Sequence, residues 1–275
     1  MLRLLKTLIT LCCLFLYGNA FAAECSAEPI TGTTDCYRVP DSYTITMYQM
    51  GLCNGVDTTS ATVPDIATSC QITFNNSSGS SIEVQNNISS ALSGGTSTKP
   101  ANGTYAYGFI KVDARLFLKT SHTFAATRSG SNTGSGTTCW TNGSAASTGT
   151  STDCGTSAAA NPQNMTVDVI SLGGTVLPMN NFYNRYEGDA EGLDDTYAWL
   201  VDSDGNASTS INYSSSAGDV KYLIGVAKFT SSETVSDNTS TMEAQFRVTR
   251  GLKIDFTSTT VNYNLQEFKV VTDVY

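Results

Sequence analysis

The sequence predicts an all-β protein, an antiparallel β-sandwich with long polar loops and disulfides. Three observations carry that expectation. Apolar and polar residues alternate with a period of two in short runs rich in Val, Ile, Thr, Tyr and Phe, which is the pattern of half-buried strands. Gly, Asn, Ser and Asp break those runs at short intervals, as hairpin turns require. The 3.6-residue period of amphipathic helices is nearly absent.

The first element is a leader. Arg3 and Lys6 precede the apolar run Thr7 to Tyr17, and Ala20, Phe21 and Ala22 form a small-x-small cleavage site, so residues 1–22 are expected to be a signal peptide. The run is well short of the roughly 20 apolar residues a spanning helix needs, and no later stretch is longer, so no membrane span is expected in the mature chain. Cleavage leaves 275 − 22 = 253 residues, expected as a single β-sandwich domain over 23–275. Two of the 15 basic residues leave with the leader and all 24 acids stay, for a charge of 13 − 24 = −11. Such a chain repels nucleic acid, which is excluded as a partner.

Of the eight cysteines, Cys25, Cys36, Cys53, Cys70, Cys139 and Cys154 remain. An even set in an exported chain reads as disulfides. Many pairings are open to six cysteines. Closure entropy favours the local ones, Cys25 with Cys36, Cys53 with Cys70 and Cys139 with Cys154. A structural zinc site is disfavoured, because the spacing is wide and His122 is the only histidine.

The strands follow in order. In "SYTITMYQMGLC" the residues Tyr43, Ile45 and Met47 share a face, and the phase then shifts to Met50 and Leu52, which predicts a bulge near Tyr48. "GTYAYGFIKVDARLFLKT" puts Ile110, Val112, Ala114, Leu116 and Leu118 on one face and Lys111, Asp113, Arg115 and Lys119 on the other, a strand with one wet side. Further strands are expected at "QITF", "SIEV", "MTVDVISL", "TYAWLV", "VKYLIGVAKF", "MEAQFRV", "LKIDF" and "NLQEFKVV".

Residues 129–163 differ from the rest. Asp153 is their only charge and Ser, Thr, Gly, Asn and Ala dominate, a composition with little to bury. They are expected as an insertion loop that adds little to the core, with a boundary between two small β domains as the alternative. Cys139 and Cys154 would close part of it, with Trp140 either covering the disulfide or exposed as a contact residue. "DSDGN" places oxygens at Asp202, Asp204 and Asn206 around a glycine. Calcium would accept that set, but the segment lacks the distal Glu of an EF-hand and a hairpin turn is the better reading. Tyr197 and Trp199 lie two apart and could form a sugar-stacking platform. Because Ala198 and Leu200 are apolar too, a strand buried on both faces is the better reading.

Catalytic signals are weak. The carboxylates between Glu187 and Asp195 sit in no glycosidase motif, and a hydrolase triad would have to use His122, expected at the surface of a polar strand edge. An outer-membrane barrel would end on an aromatic such as Tyr275, yet Asp273, Lys269 and Glu267 put charges at alternate positions that would face lipid.

"YTITMYQMGLC", "NGTYAYGFIKVDARLFLKTS" and "CWT" resemble exported bacterial β-sandwich proteins and are loosely similar to fimbrillin-like surface subunits, over about a third of the chain. The resemblance implies a cell-surface component. The expectation is therefore a non-enzymatic, secreted or cell-surface structural or adhesive protein, with the periplasm as the alternative location. It would bind other copies of itself or surface glycans and proteins. The alternative is a carbohydrate-binding module, with calcium as its only candidate cofactor; a secreted hydrolase ranks below both.

Overall fold

The computed structural model describes residues 24–58, 62–84, 88–89, 92–169, 185–190, 193–240, 242–266 and 269–274. The leader at 1–22, Glu267 and Tyr275 lie outside them. Eighteen strands, one short α-helix and two single-turn 3-10 helices (Ala146–Thr148 and Ser157–Ala159) order the described chain. The first strands are β1 (Cys36–Arg38), β2 (Ser42–Cys53), β3 (Cys70–Val84), β4 (Ile88–Ser89), β5 (Thr96–Ser97) and β6 (Gly103–Asp113). Helix α1 (Ile66–Ser69) precedes β3. Next come β7 (Arg115–Lys119), β8 (Ser121–Gly130), β9 (Ser135–Thr141), β10 (Thr152–Gly155), β11 (Met165–Asp168) and β12 (Arg185–Ala190). The last six are β13 (Leu193–Val201), β14 (Tyr222–Val235), β15 (Met242–Arg247), β16 (Leu252–Thr257), β17 (Thr260–Leu265) and β18 (Lys269–Val274).

A six-stranded sheet runs β1-β16-β17-β8-β9-β10, and a nine-stranded sheet runs β11-β7-β2-β6-β14-β13-β12 with β3 and β5 attached through β2. A third sheet joins β18, β15 and β4. Pairing is antiparallel except for a short parallel contact of β17 with β8. The main core lies between the large sheets. Tyr43, Ile45, Met47, Ile110, Val112, Leu116 and Leu118 come from one side, and Phe124, Leu252, Ile254, Val261 and Tyr263 from the other. The alternation read in "GTYAYGFIKVDARLFLKT" therefore holds, with the strand interrupted at Ala114. "QITF" and "SIEV" join into the single long β3, while "NLQEFKVV" divides between β17 and β18.

The bulge forms where the phase shift placed it. The register of β2 slips between Met47 and Gln49 against both β3 and β6. Tyr48 and Gln49 consequently both reach the outer face of the nine-stranded sheet, where Tyr48 bonds Asp113 and Gln49 bonds Asn75.

All three disulfides pair sequentially: Cys25–Cys36, Cys53–Cys70 and Cys139–Cys154. An oxidising, extracytoplasmic compartment is where such bonds form and persist. Among the described residues no helix is long and apolar enough to cross a membrane.

Residues 129–163 overturn one expectation. They carry β9 and β10, which extend the six-stranded sheet, and Cys139 and Cys154 stand directly opposite each other in the main core. Trp140 is only 8 % exposed, so it is not displayed. It lies on the opposite strand face from Cys139, beside Gly155 and Ala159. Burial here rests on hydroxyls that bond backbone, which composition conceals. Thr141 Oγ1 donates to the Gln163 carbonyl at 2.6 Å, Thr152 Oγ1 accepts from Tyr263 N–H, and the Tyr263 hydroxyl donates to the Cys139 carbonyl. The glycines are also structural: a Cβ at Gly136 would overlap the Gly155 carbonyl.

Candidate functional site

The outer face of the nine-stranded sheet carries a second apolar cluster, built from Cys53, Cys70, Phe109, Tyr197, Trp199, Val201, Ile224 and Val226. Tyr197 and Trp199 stack at 6.4 Å between ring centroids and are buried, so they form packing and not a stacking platform. Ala198 and Leu200 fill the main core on the other side, as a doubly buried strand requires.

Register sets one row of side chains across five strands. Asn75 pairs with Gln49, Gln49 with Lys111, Lys111 with Ile224, and Ile224 with Trp199. Phe109 occupies the next row beside Gly51, where a Cβ would overlap both its ring and the Gln71 carbonyl. Glycine at 51 is therefore a condition for the Phe109 position.

Two walls rise over this floor. Residues 54–58 and 62–69 lie over the face, with Val56, Val63 and Ile66 packed on the apolar cluster and the Cys53–Cys70 disulfide at their base. Asp65 caps α1 by accepting from Ala67 N–H and Thr68 N–H. The opposite wall is the turn after β13. Asp202 is buried; its Oδ1 accepts from Asp204 N–H at 3.0 Å and Asn206 N–H at 2.9 Å, and its Oδ2 from Gly218 N–H at 3.0 Å. Between the walls is an open cleft of about 510 Å³, within the usual range for small-ligand sites. Gln49, Phe109, Lys111 and Ile224 form its floor, Val63, Asp65 and Ala67 one side, and Asp204 and Asn206 the other.

Of the three residues considered for calcium, Asp204 and Asn206 thus line the cleft, while Asp202 organises the turn. An ion at Asp202 would have to displace three backbone amides. Among the described residues no three His, Cys, Asp or Glu side chains are grouped to hold a metal.

Lys111 is half-buried, and burial pushes its pKa below the ordinary lysine value. Its ammonium lies 4.0 Å from the Tyr222 ring centroid, and it has no hydrogen bond or ion pair among the described residues. The neighbouring polar groups are instead fully engaged. Asp113 accepts from Arg115 N–H, Tyr213, Tyr48 and Lys221, and Arg115 is paired with Asp168. Burial, with the Asp113 charge adding to it, raises the Tyr48 hydroxyl to about 12.

His122 corrects another expectation, for it is 5 % exposed and not a surface residue. Its Nδ1 lies 2.7 Å from Glu28 Oε1 and its Nε2 2.9 Å from Thr120 Oγ1. A carboxylate only accepts, so Nδ1 carries the proton and Nε2 accepts from the Thr120 hydroxyl. Hydroxyl, imidazole and carboxylate stand in hydrolase order, with the Thr120 hydroxyl fully buried. Burial lowers the His122 pKa, with Glu28 opposing in part. Unfolded chain therefore takes up a proton near pH 6.5 that the folded chain refuses. The stabilisation is complete above that pH and is lost as pH falls from 6.5 towards the lowered folded value. Thermal melting between pH 7 and pH 5 should show a decline that His122→Gln flattens.

No protein-family model, curated protein or solved structure matches the chain. The geometry of the cleft carries the functional reading.

Proposed function

We propose that the protein is an exported, cell-surface adhesive component that engages saccharides through the cleft on the nine-stranded sheet. The observation that supports this most is the cleft's construction. A sheet face that would otherwise be flat is walled by a disulfide-closed loop and by a carboxylate-organised turn. Apolar floor residues with convergent amide and carboxylate side chains suit a ligand that presents C–H faces and hydroxyls together. Three disulfides favour persistence outside the cell. The sealed position of Thr120 supports a non-enzymatic role for the hydroxyl–imidazole–carboxylate row.

The test is retention of the full chain on a glycan array, run in millimolar calcium and again in chelator, beside a concentration series for self-assembly. Saccharide retention is expected. Filaments growing with concentration and no retention would move the reading to a structural subunit that binds copies of itself. Retention only in calcium would bring back an ion at the Asp204–Asn206 wall.

A further inference from the structure

The saccharide reading leaves Lys111 unexplained. The cleft floor could have been built from Gln49, Phe109 and Ile224 alone, yet an ammonium stands in the middle of the row, flanked in register by Gln49 on β2 and Ile224 on β14. A half-buried charge without a counter-ion loses hydration and recovers only part of it from the Tyr222 ring. Among the described residues the two cations nearest to it have partners: Lys221 holds Asp113 at 2.8 Å and Arg115 holds Asp168 at 2.6 Å. Among the described residues, Lys111 is therefore a cation lining the cleft with neither a hydrogen bond nor an ion pair.

Resting on the saccharide reading above, we propose that Lys111 reads an anionic group and that the cleft takes a glycan residue bearing one carboxylate, of the hexuronate class. The count of charges limits the ligand to one. Asp65 and Asp204 stand on the two walls, and the chain as a whole carries −9, so a sulfated polymer or a nucleic acid would be repelled by the rims. The same wall carboxylates accept hydrogen bonds from sugar hydroxyls, as does the Asn206 amide oxygen. The Gln49 amide nitrogen spends one proton on Asn75 at 3.0 Å and keeps the other for the ligand. A ring with hydroxyls toward the walls and its carboxylate toward Lys111 satisfies each of these groups.

Matched sugars provide the test. Methyl hexuronosides and methyl hexosides of the gluco, galacto and manno series differ only in a carboxylate or a hydroxymethyl group at C6. Calorimetric titration of the full chain should show at least one hexuronoside binding about tenfold or more tightly than its neutral partner, since a bond between two charged groups exceeds a neutral one by that order. Lys111→Met keeps the alkyl stem and should bring that pair to parity. Lys99→Met removes the same charge from an exposed site and should leave the preference intact. A melting midpoint for Lys111→Met no lower than that of the parent would show that the loss is not unfolding. Equal affinities across a pair, or a preference that survives Lys111→Met, would overturn the role of Lys111 while leaving the saccharide reading in place. No heat from any of the six sugars would overturn the saccharide reading and this inference with it.

Discussion

Trp140→Ala is expected to lower the stability of the fold by about 3–5 kcal/mol, the range for emptying a large aromatic site in a packed interior. The side chain is buried among Gly155 and Ala159 on the outer side of the β8–β9–β10 hairpins, and the strand carrying it is fastened to β10 by Cys139–Cys154. Few other apolar groups are available nearby to close over the space, because the surrounding segment is made of Ser, Thr and Gly. Replacing both Cys139 and Cys154 by alanine should cost a further amount of about 3 kcal/mol through the freed unfolded chain. Chemical denaturation followed by intrinsic fluorescence and circular dichroism measures both. A Trp140→Ala protein as stable as the parent would return 129–163 to the status of an appended loop.

Asp202→Ala should cost about 3 kcal/mol, since a buried carboxylate that accepts from three amides leaves all three without a partner when it is removed. In a chain of this size each kcal/mol corresponds to roughly 2–4 °C, so the midpoint should fall by about 6–12 °C. Asp202→Asn distinguishes this from loss of a metal ligand. The asparagine oxygen can still accept from Asp204 and Asn206, but its amide nitrogen cannot accept from Gly218, so an intermediate loss is expected. That loss should be the same in calcium and in chelator. If Asp202→Asn were as damaging as Asp202→Ala and only in calcium, an ion would be the organiser of the turn.

How much of this was readable from the chain depends on whether the information was local. The Tyr48 bulge was legible because a change of phase within one strand is local, and so were the two buried faces of "TYAWLV" and the sequential disulfides. The row Asn75, Gln49, Lys111, Ile224, Trp199 was not, because it exists only once five strands are in register. Lys111 looked like one of several outward charges on a wet strand. Its isolation appears only when Asp113, Lys221, Arg115 and Asp168 are seen to satisfy one another. The burial of His122 was hidden for the same reason, since Glu28 is distant in sequence and supplies its partner. Residues 129–163 misled for a different reason. Their hydroxyls bond backbone inside the fold and their glycines admit close strand contact, so a composition read as solvent-loving builds the edge of a sheet.

The proposed recognition takes place in the cleft over Gln49, Phe109, Lys111 and Ile224. Ala67 is exposed on its rim and contributes no side chain to either core, so Ala67→Trp would fill the opening without disturbing the sheet. Retention on the glycan array should drop about tenfold or more in Ala67→Trp while its melting midpoint stays at the parent value. Undiminished retention in a folded Ala67→Trp protein would place recognition elsewhere on the molecule.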